Sequence, residues 1–419
     1  MAEAGNDRPK LTGGQIAAVT AGNALEFYDF VTYAFFATQI GRALFPGDAS
    51  SKLLLSLATF GVGFLTRPLG GLIIGRMADR RGRKPAMILS FTMMGLSMIG
   101  LALTPSYAAI GMAAPLLAVL FRLLQGFAVG GEVGPNIAYL MEAAPRGRRG
   151  FFISLNFASA DFAVMVAGLV GFALASVLSA AQLEAWGWRV ALLLGAGIVP
   201  FGLALRRTLV ETLPTESEPE APSARPVLLL AIAGLFVIAG GTISNYTLEY
   251  LTTYAQATLH MPVPTAFAAT VVFGLIGVAG DLTGGLLADR FGPKRVLVVP
   301  WLLLIVSIVP AFGLLNHYRT ASALLTVTTV LTTFHILGSS PAVLLFVQAL
   351  PARVRAGAIG IVYALAIAIF GGSTQLLETL LIRWTGNPVA PAWYMMAAVI
   401  VALTGALLIP QPRRERSGA

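Results

Sequence analysis

The sequence predicts an all-α integral membrane protein with twelve transmembrane helices in two pseudo-symmetric six-helix bundles. Three observations support this fold: the composition, the length of the apolar runs, and a charged turn that recurs at half the chain length. Of the 419 residues, 57% are hydrophobic and only 11% are charged, and the mean hydropathy is +0.80. A soluble protein carries about 25% charged residues. This chain therefore cannot cover itself with a polar surface, and lipid must surround most of it.

The apolar runs are long enough to cross a membrane. Spanning about 30 Å of hydrocarbon takes roughly 20 helical residues. The twelve predicted spans are 15–39, 53–75, 86–104, 109–133, 150–178, 188–207, 227–254, 265–288, 295–315, 321–347, 357–383 and 391–410. Lipid offers no hydrogen bonds to the backbone, so continuous runs of this length must be helices.

A charged turn divides the chain into repeats. The segment from Gly75 to Lys84 holds five basic residues in ten positions, and a weaker copy runs from Gly285 to Lys294. Both copies lie between apolar runs, which indicates a duplicated architecture. Residues 208–226, rich in Pro and Glu, are predicted to be a flexible cytoplasmic linker between an N-terminal bundle (1–207) and a C-terminal bundle (227–419). Such a pair of halves is typical of an alternating-access transporter, with its site between them near the mid-membrane plane.

The basic residues predict the orientation. Of the 28 Lys and Arg residues, 21 fall in one set of loops and termini, five fall in the opposite set, and two lie within predicted helices. This asymmetry places both termini in the cytoplasm and the protein in the cell inner membrane. The polar N-terminus lacks a signal-peptide core and cleavage site, so the first helix is the expected targeting element. The basic residues are scattered over short loops, which argues against a nucleic-acid-binding face.

Several motifs resemble a known family. The pattern Gly75-x-x-x-Asp79-Arg80-x-Gly82-Arg83-Lys84 resembles the loop motif of the major facilitator superfamily. Further stretches resemble its metabolite:proton symporter branch. These are Gly22-Asn-Ala-Leu-Glu-Phe-Tyr-Asp29, Arg67-Pro-Leu-Gly-Gly, Arg122-Leu-Leu-Gln-Gly-Phe-Ala-Val-Gly-Gly-Glu132 and Trp186-Gly-Trp188-Arg189. The resemblance covers the whole chain and implies the major facilitator fold.

The same resemblance implies import of a small organic acid or zwitterion together with protons. Within the branch, the stretch from Asn245 to Pro262 looks most similar to citrate and tricarballylate carriers. Those carriers have a Gln-rich face in helix five, whereas this chain has Asn156-Phe-Ala-Ser159-Ala-Asp161 there. This difference weighs against citrate itself as the substrate. Nine residues follow Pro410, and the long helical tail of the osmosensing members is missing, which weighs against proline or betaine.

Two arginines, Arg67 and Arg122, fall near the centres of the second and fourth predicted helices. An ionisable group in a membrane costs at least ~2.5 kcal/mol to insert, so it persists mainly beside a cavity or a partner. A guanidinium can bind a carboxylate through two parallel hydrogen bonds. We therefore expect these arginines to bind a substrate carboxylate. The alternative is permanent neutralisation by an embedded acid, for which the candidates are Glu26, Asp29, Glu132 and Asp161.

Helix one presents a polar and aromatic stripe. Its members, Asn23, Glu26, Phe27, Phe30 and Tyr33, are spaced three or four residues apart and so share one helical face. Asp29 lies between this stripe and the opposite face, so either Glu26 or Asp29 can point inward. An embedded carboxylate that loses its cationic partner takes up a proton, because desolvation disfavours the anion. The predicted proton-coupling residues are Glu26, Asp29, Asp161 and Glu132, with a fixed Asp29–Arg67 pair as the structural alternative.

Polar positions elsewhere complete the predicted site. Tyrosines recur every four residues in helix seven, which indicates either a cavity-facing stripe or packing. A lone histidine in helix ten is either polar lining or a satisfied core residue. Asp281 and Glu378 are expected near helix ends as gate or interface charges. The predicted substrate-binding residues are Asn23, Tyr33, Arg67, Arg122, Gln125, Asn156, Ser159, Tyr250, Tyr254, His335 and Gln375.

The repeated charged turn is predicted to gate the cytoplasmic side. An acid in this turn can pair with a nearby arginine and hold the inward side shut. The predicted gate residues are Gly75, Asp79, Arg80, Gly82, Arg83, Arg149, Asp289 and Arg290. Pro293 in the second copy replaces the basic Arg83 of the first, so the second gate is expected to be weaker. The glycine runs Gly71-x-x-x-Gly75 and Gly126-x-x-x-Gly130 are predicted to let helices approach closely.

Several function classes lack their motifs. The sequence has no cysteine, no phosphate-binding Gly-x-x-x-x-Gly-Lys-Ser/Thr pattern, no metal-ligand spacing and no nucleophile–histidine–acid set. We therefore predict no cofactor, metal, nucleic acid or enzymatic activity. The resemblance, together with the embedded arginines, tyrosines and carboxylates, implies a monomeric proton symporter for an organic acid, with a di- or tricarboxylate such as citrate favoured. The alternatives are a symporter for shikimate, proline or betaine and a drug:proton antiporter. An antiporter is disfavoured because helix five, from Phe152 to Leu178, contains no proline. A membrane sensor would need an appended soluble domain.

Overall fold

The computed structural model describes residues 13–81, 83–130, 140, 144, 145, 147–207 and 227–411. Within these ranges the secondary structure is helical and includes no strand. Eight of the described helices are long and apolar enough to cross a membrane by length and composition, and Ile88–Leu103 and Ala113–Val129 are shorter apolar helices. The all-α prediction is thus confirmed for the described residues.

Within the described ranges, twelve long helices follow one another, and each overlaps one predicted span. In the first half, named the N-half, they are α1 (Gly13–Phe35, continued by Ala37–Leu44), α2 (Ala49–Leu65 and Arg67–Arg81), α3 (Arg83–Leu103), α4 (Ala113–Val129), α5 (Arg149–Val177) and α6 (Trp188–Arg207). In the second half, named the C-half, they are α7 (Val227–Ala257), α8 (Val263–Phe291), α9 (Pro293–Tyr318), α10 (Ala321–Ala349), α11 (Ala352–Ala366 and Gly372–Thr385) and α12 (Ala390–Leu408).

The helices differ from the predicted spans mainly at their ends. Many continue past the apolar run that predicted them, because a helix can extend beyond the hydrocarbon into the polar headgroup region. A π-helical turn, Ile367–Gly371, interrupts α11, and apolar periodicity gave no sign of it. The predicted linker 208–226 and the C-terminal part of the fourth predicted span lie outside the described residues, so the proposed division into two bundles stays a prediction.

The bundle has two ends, which we name the linker end and the far end. The linker end carries the turns between α2 and α3, α8 and α9, and α10 and α11, together with the start of α5. The far end carries the turns between α1 and α2, α3 and α4, α5 and α6, α7 and α8, α9 and α10, and α11 and α12. These names follow the course of the chain and leave open which end faces the cytoplasm.

The contact between α5 and α8 joins the two halves along almost their full length. Near the linker end, Gly285 packs on the backbone of Gly150, and near the far end, Gly171 packs on the ring of Phe267. Between them, Gly274 lies against the backbone of Asp161 and Met165. Glycine at these crossings lets the backbones approach closely, as is common for membrane helices. A second contact between the halves is made by Gly61 of α2 and Gly372 of α11.

The predicted glycine ridges do bring helices together in the N-half. A Cβ at Gly126 would lie 1.5 Å from the carbonyl oxygen of Gly63, and one at Gly130 would lie 1.9 Å from that of Arg67. Gly71 faces Gly130 in the same way. The close approach of α2 and α4 therefore requires glycine, which has no side chain, at these positions. It places Arg67 and Arg122 on neighbouring helices.

We expect Gly126→Ala to destabilise the protein by about 1–3 kcal/mol, because the added methyl group would force two backbones apart. Gly241→Ala is the matched control, since no atom lies within 4 Å of a Cβ at that position. Thermal unfolding in detergent measures both variants. Equal apparent melting temperatures for the two would contradict the close contact between α2 and α4.

Candidate functional site

Arg122 on α4 is almost fully buried, with 1% of its surface exposed. Its guanidinium donates to the side-chain oxygen of Gln125 and to the carbonyl oxygen of Phe60, at 3.3 Å. Its Cζ atom lies 4.9 Å from the ring centroid of Phe30 and 4.6 Å from that of Tyr33. Aromatic faces attract a cation electrostatically and so offset part of its desolvation cost. The predicted arginine is thus held inside the N-half by aromatic rings.

Arg67 on α2 lies against the same aromatic group. Its Cζ atom is 4.5 Å from the ring centroid of Phe30 and 4.3 Å from that of Phe64. Its electrostatic neighbours are Tyr246, Tyr363 and Glu26. We name the four rings that surround the two guanidinium groups the arginine cage, and they are Phe30, Tyr33, Phe60 and Phe64. Both predicted arginines therefore belong to one site.

The arginine cage meets the C-half through Tyr246 of α7. The ring centroid of Tyr246 lies 6.2 Å from that of Phe60 and 5.8 Å from that of Phe64, with edge-to-face geometry in both pairs. Tyr33 adds a hydrogen bond from its hydroxyl to the carbonyl oxygen of Ser56, at 3.3 Å. The cage is consequently built mainly by α1 and α2 and closed from the other half by one phenol ring.

Asn23, Asn156 and Ser159 come together between α1 and α5. The amide nitrogen of Asn23 donates to the carbonyl oxygen of Asn156 and to the hydroxyl of Ser159, both at 2.8 Å. The side-chain oxygens of Asn23 and Asn156 are buried and accept no hydrogen bond from the described residues. A buried polar oxygen without a donor is costly. These two oxygens therefore suit a ligand that can donate hydrogen bonds.

The predicted acids are placed in different surroundings. Glu26 is buried on α1, with 2% exposed, and Asp161 is buried on α5, with 7% exposed. Glu26 belongs to the arginine site, whereas Asp161 packs against α8 at Gly277. The side chain of Asp29 and the whole of Glu132 lie outside the described residues.

Three further buried acids lie in the C-half, and the prediction that two of them lie near helix ends was wrong. Asp281 and Glu378 are inside their helices rather than near the ends, and both are almost fully buried. Their partners are hydroxyl groups, because Ser340 donates to Asp281 at 2.5 Å and Thr247 donates to Glu378 at 2.5 Å. Glu249 on α7, which accepts from Asn245 at 2.9 Å, was missed. The signal was available, since an acid within an apolar run is expected to be functional.

The predicted polar residues of the C-half have partners within that half. The Tyr250 hydroxyl bonds Thr379 at 2.8 Å, and the Tyr254 hydroxyl donates to the carbonyl oxygen of Pro388 at 2.8 Å. His335 is 3.0 Å from the hydroxyl of Ser244. Gln375 is buried, and its side-chain oxygen has no partner among the described residues. Gln375 is thus the exception in this set, because its side-chain oxygen remains able to accept a hydrogen bond. Tyr250 also lines a cleft at the far end.

That cleft lies between the halves and has a volume of about 490 Å³. The side chain of Gln39 from α1 donates to Gln256 from α7 across the interface, at 2.9 Å. Arg42, Arg383 and His260 also line the cleft. Glu184 also lines the cleft and forms an ion pair with Arg42, so the lining carries charges of both signs.

At the linker end, the second copy of the charged turn joins the halves. The Asp289 carboxylate accepts hydrogen bonds from the backbone N–H of Gly150 at 2.7 Å and of Phe151 at 2.9 Å. These groups form the start of α5, where a helix favours negative charge. Lys294 donates to the carbonyl oxygens of Leu407 and Ile409. Gly292, with φ of +92°, makes the turn that separates these two contacts.

Two other predicted gate residues, Arg149 and Arg290, have side chains among the described residues. Arg149 is the first residue of α5 and is half-buried. The guanidinium of Arg290 lies 5.3 Å from the ring centroid of Phe291. Gly82 and the side chains of Asp79, Arg80 and Arg83, like the surroundings of Gly75, lie outside the described residues. The relative strength of the two gates therefore stays a prediction.

The charged groups are distributed unequally between the halves. The N-half supplies the two guanidinium groups of the arginine cage and the buried acids Glu26 and Asp161, and the C-half supplies three buried carboxyl groups. A carboxylate ligand fits the guanidinium side, and protons can be carried on the carboxyl side. The arrangement thus provides groups for an anion and for protons at one interface.

Comparisons with known proteins show the family and the fold. The family model for the Major Facilitator Superfamily matches residues 19–372. The chain is 35% identical to the citrate-proton symporter of Klebsiella pneumoniae over 96% of this chain and 92% of that protein. It is 32% identical to the alpha-ketoglutarate permease of Escherichia coli K12 over 94% of this chain and 93% of that protein. The partially occluded, inward-open xylose transporter XylE of E. coli matches its fold with a TM-score of 0.74 at 15% identity, over 95% and 99% of the two chains.

We expect Asp289→Ala to lower the free energy of unfolding by about 0.5–2 kcal/mol, as for the loss of a helix cap. Asp289→Asn keeps an acceptor oxygen and should lose less. Glu184→Ala, which removes the exposed ion pair with Arg42, is the control, because such pairs contribute about 0–1 kcal/mol. Thermal unfolding in detergent tests all three variants. A D289A protein as stable as the parent would show that the contact contributes nothing.

Proposed function

This chain belongs to the Major Facilitator Superfamily, and from that premise we propose that it is a proton-coupled symporter that imports a small organic acid by alternating access. The substrate that we favour is a di- or tricarboxylate such as citrate. The observation that carries this proposal is the pair of guanidinium groups held by the aromatic rings of the arginine cage, at the junction of the two halves. The citrate-proton symporter and the alpha-ketoglutarate permease among its relatives both have names that specify multiply charged acids.

The arginine cage supplies the chemistry for a carboxylate. Arg122 and Arg67 share the ring of Phe30, so their guanidinium groups are close enough for one polyanionic ligand. A planar guanidinium binds a carboxylate through two hydrogen bonds, which a lysine cannot do. The unpartnered oxygens of Asn23, Asn156 and Gln375 are further groups that a hydroxy acid can satisfy.

Coupling to protons follows from competition for the arginines. Glu26 is an electrostatic neighbour of Arg67, so an incoming carboxylate competes with it for the same cation. An embedded carboxylate that loses its cation takes up a proton, because desolvation disfavours its anion. Substrate binding and proton uptake would then favour the same loaded state, which is the requirement for symport.

The proposed orientation places the linker end in the cytoplasm of a cell whose inner membrane holds the protein. The excess of Lys and Arg in the loops of that end supports it. The far-end cleft, with Arg42 and Arg383, would then receive the substrate from outside. Asp289 at the start of α5 would belong to the cytoplasmic gate. The protein would work as a monomer surrounded by lipid.

Purified protein in liposomes tests the proposed function directly. Under an inward proton gradient, radiolabelled citrate or 2-oxoglutarate should accumulate, and collapse of the gradient with a protonophore should abolish the accumulation. Empty liposomes give the background. Uptake that is indifferent to the gradient would contradict coupling, and a failure of both acids to bind would contradict the substrate class.

We expect Arg122→Ala to weaken substrate binding at least tenfold, because a hydrogen bond to a charged group contributes about 1.5–3 kcal/mol. Arg122→Lys keeps the charge but loses the paired hydrogen bonds, so it should also bind weakly. Arg295→Ala is the matched control, since Arg295 is exposed on α9. Equilibrium binding in detergent gives all three affinities. An R122A protein with unchanged affinity would remove Arg122 from the site.

A further inference from the structure

Two carboxyl groups from different halves face each other inside the α5–α8 interface. Asp161 of α5 and Asp281 of α8 are each almost fully buried, with 7% and 1% exposed. They are close enough for one carboxyl group, when protonated, to donate a hydrogen bond to the other. A Cβ at Gly277, one helical turn before Asp281, would lie 2.1 Å from the Oδ2 atom of Asp161. The absence of a side chain there is what admits the acid.

The surroundings of the pair supply no counter-charge within the described part of the chain. Asp281 accepts a hydrogen bond from Ser340 of α10 at 2.5 Å, and the Oδ2 atoms of both acids accept none from the described residues. The other charged neighbour of Asp161 is a third acid, Glu249 of α7. Two adjacent carboxylates cannot both be ionised in such a place, because burial and like charge each disfavour the second anion. The pair must therefore hold at least one proton.

We propose that Asp161 and Asp281 form a carboxyl pair that holds one shared proton while α5 and α8 are in contact and releases it when the linker end opens. Separation of the helices would admit water to both acids, and each would then ionise as an ordinary carboxylate. The proton leaves to water, and no other bond changes. The proposal deepens the proposed function by adding a second proton-carrying site to Glu26, and it rests on that function only for the use of the proton in transport.

The position of the pair links it to the linker end. Along α5, Asp161 lies eleven residues beyond Gly150, about 16 Å at 1.5 Å per residue. Along α8, Asp281 precedes Asp289 by eight residues, about 12 Å. The pair is thus buried behind the Gly150–Gly285 contact. Opening of that contact is the step that would expose it.

Other titrating groups near the interface predict different behaviour. Asp289 binds the start of α5 as an anion, with Arg148 as its cationic neighbour, so its protonation at low pH would weaken the linker-end contact. The shared proton acts in the opposite direction, because low pH favours the closed interface. Protonation of Glu249 at low pH would also favour the closed interface, so Glu249 is tested separately.

The experiment measures opening without any substrate. The chain has no cysteine, so a single cysteine can report on the interface. Ser154, which is fully buried on α5 against Gly285, becomes Ser154→Cys. Its rate of reaction with a water-soluble thiol reagent is measured across pH in detergent. Ser322→Cys, at an exposed position on α10, gives the pH dependence of the reagent and thiol alone.

We expect S154C to react faster as pH rises, beyond the dependence of S322C, by up to about tenfold per pH unit for one released proton. Adding Asp161→Asn or Asp281→Asn should remove this excess, because an amide keeps the contact without a titrating proton. The outcome that overturns the proposal is an equal excess in the parent and in the Asn variants, or no excess in the parent. Glu249→Gln should keep the excess, and its loss there alone would place the proton on Glu249 instead.

Transport separates this proposal from the proposed function. In liposomes, D161N and D281N should still exchange internal for external citrate but lose accumulation driven by the proton gradient. Asp48→Asn, at an exposed acid that accepts a hydrogen bond from the backbone N–H of Ser51, is the control and should keep accumulation. If the parent transports no organic acid, the proposed function fails while the labelling result stands. If the parent accumulates citrate and D281N does so equally, the carboxyl pair fails alone.

Discussion

The contact between α5 and α8 controls which buried groups can reach water. The two helices run antiparallel across the bundle, and glycines bring their backbones together at Gly150, Gly274 and Gly285. Packed interfaces of this kind tend to have discrete arrangements rather than a continuous range. Asp161 and Asp281 lie within this contact, and Asp289 binds the start of α5 at its linker end. The same helix pair therefore joins the two halves and contains three of the chain's acids.

Among the described residues, the two embedded arginines belong to the N-half, whereas buried acids lie in both halves. The arginine cage keeps two cations inside the N-half by covering them with aromatic rings rather than with permanent carboxylate partners alone. Two acids of the C-half have hydroxyl partners, Thr247 for Glu378 and Ser340 for Asp281. A hydroxyl can donate to a carboxylate or accept from a carboxylic acid. Such partners therefore tolerate both protonation states, whereas an arginine would favour only the anion.

Much of the fold could be predicted from the sequence, because span length and basic loops depend on the bilayer rather than on tertiary contacts. Arg67, Arg122 and Asp161 were identified for the same reason, since a charge within an apolar run is expensive wherever it packs. Glu249 carries that signal too, and it lies within the stripe formed by Tyr246, Tyr250 and Tyr254. The pairing of Asp161 with Asp281 could not be predicted, because it depends on the register of two helices from different halves.

The π-helical turn of α11 has a consequence for the geometry of its side chains. An uninterrupted α-helix turns about 100° per residue and would separate Gln375 from Tyr363 by about 120° around the axis. The extra residue in the turn Ile367–Gly371 reduces that angle to roughly 20°. Tyr363, which neighbours Arg67, and the buried Gln375 thus share one azimuth. A single inserted residue brings the phenol and the amide into line along the inner wall of the transporter.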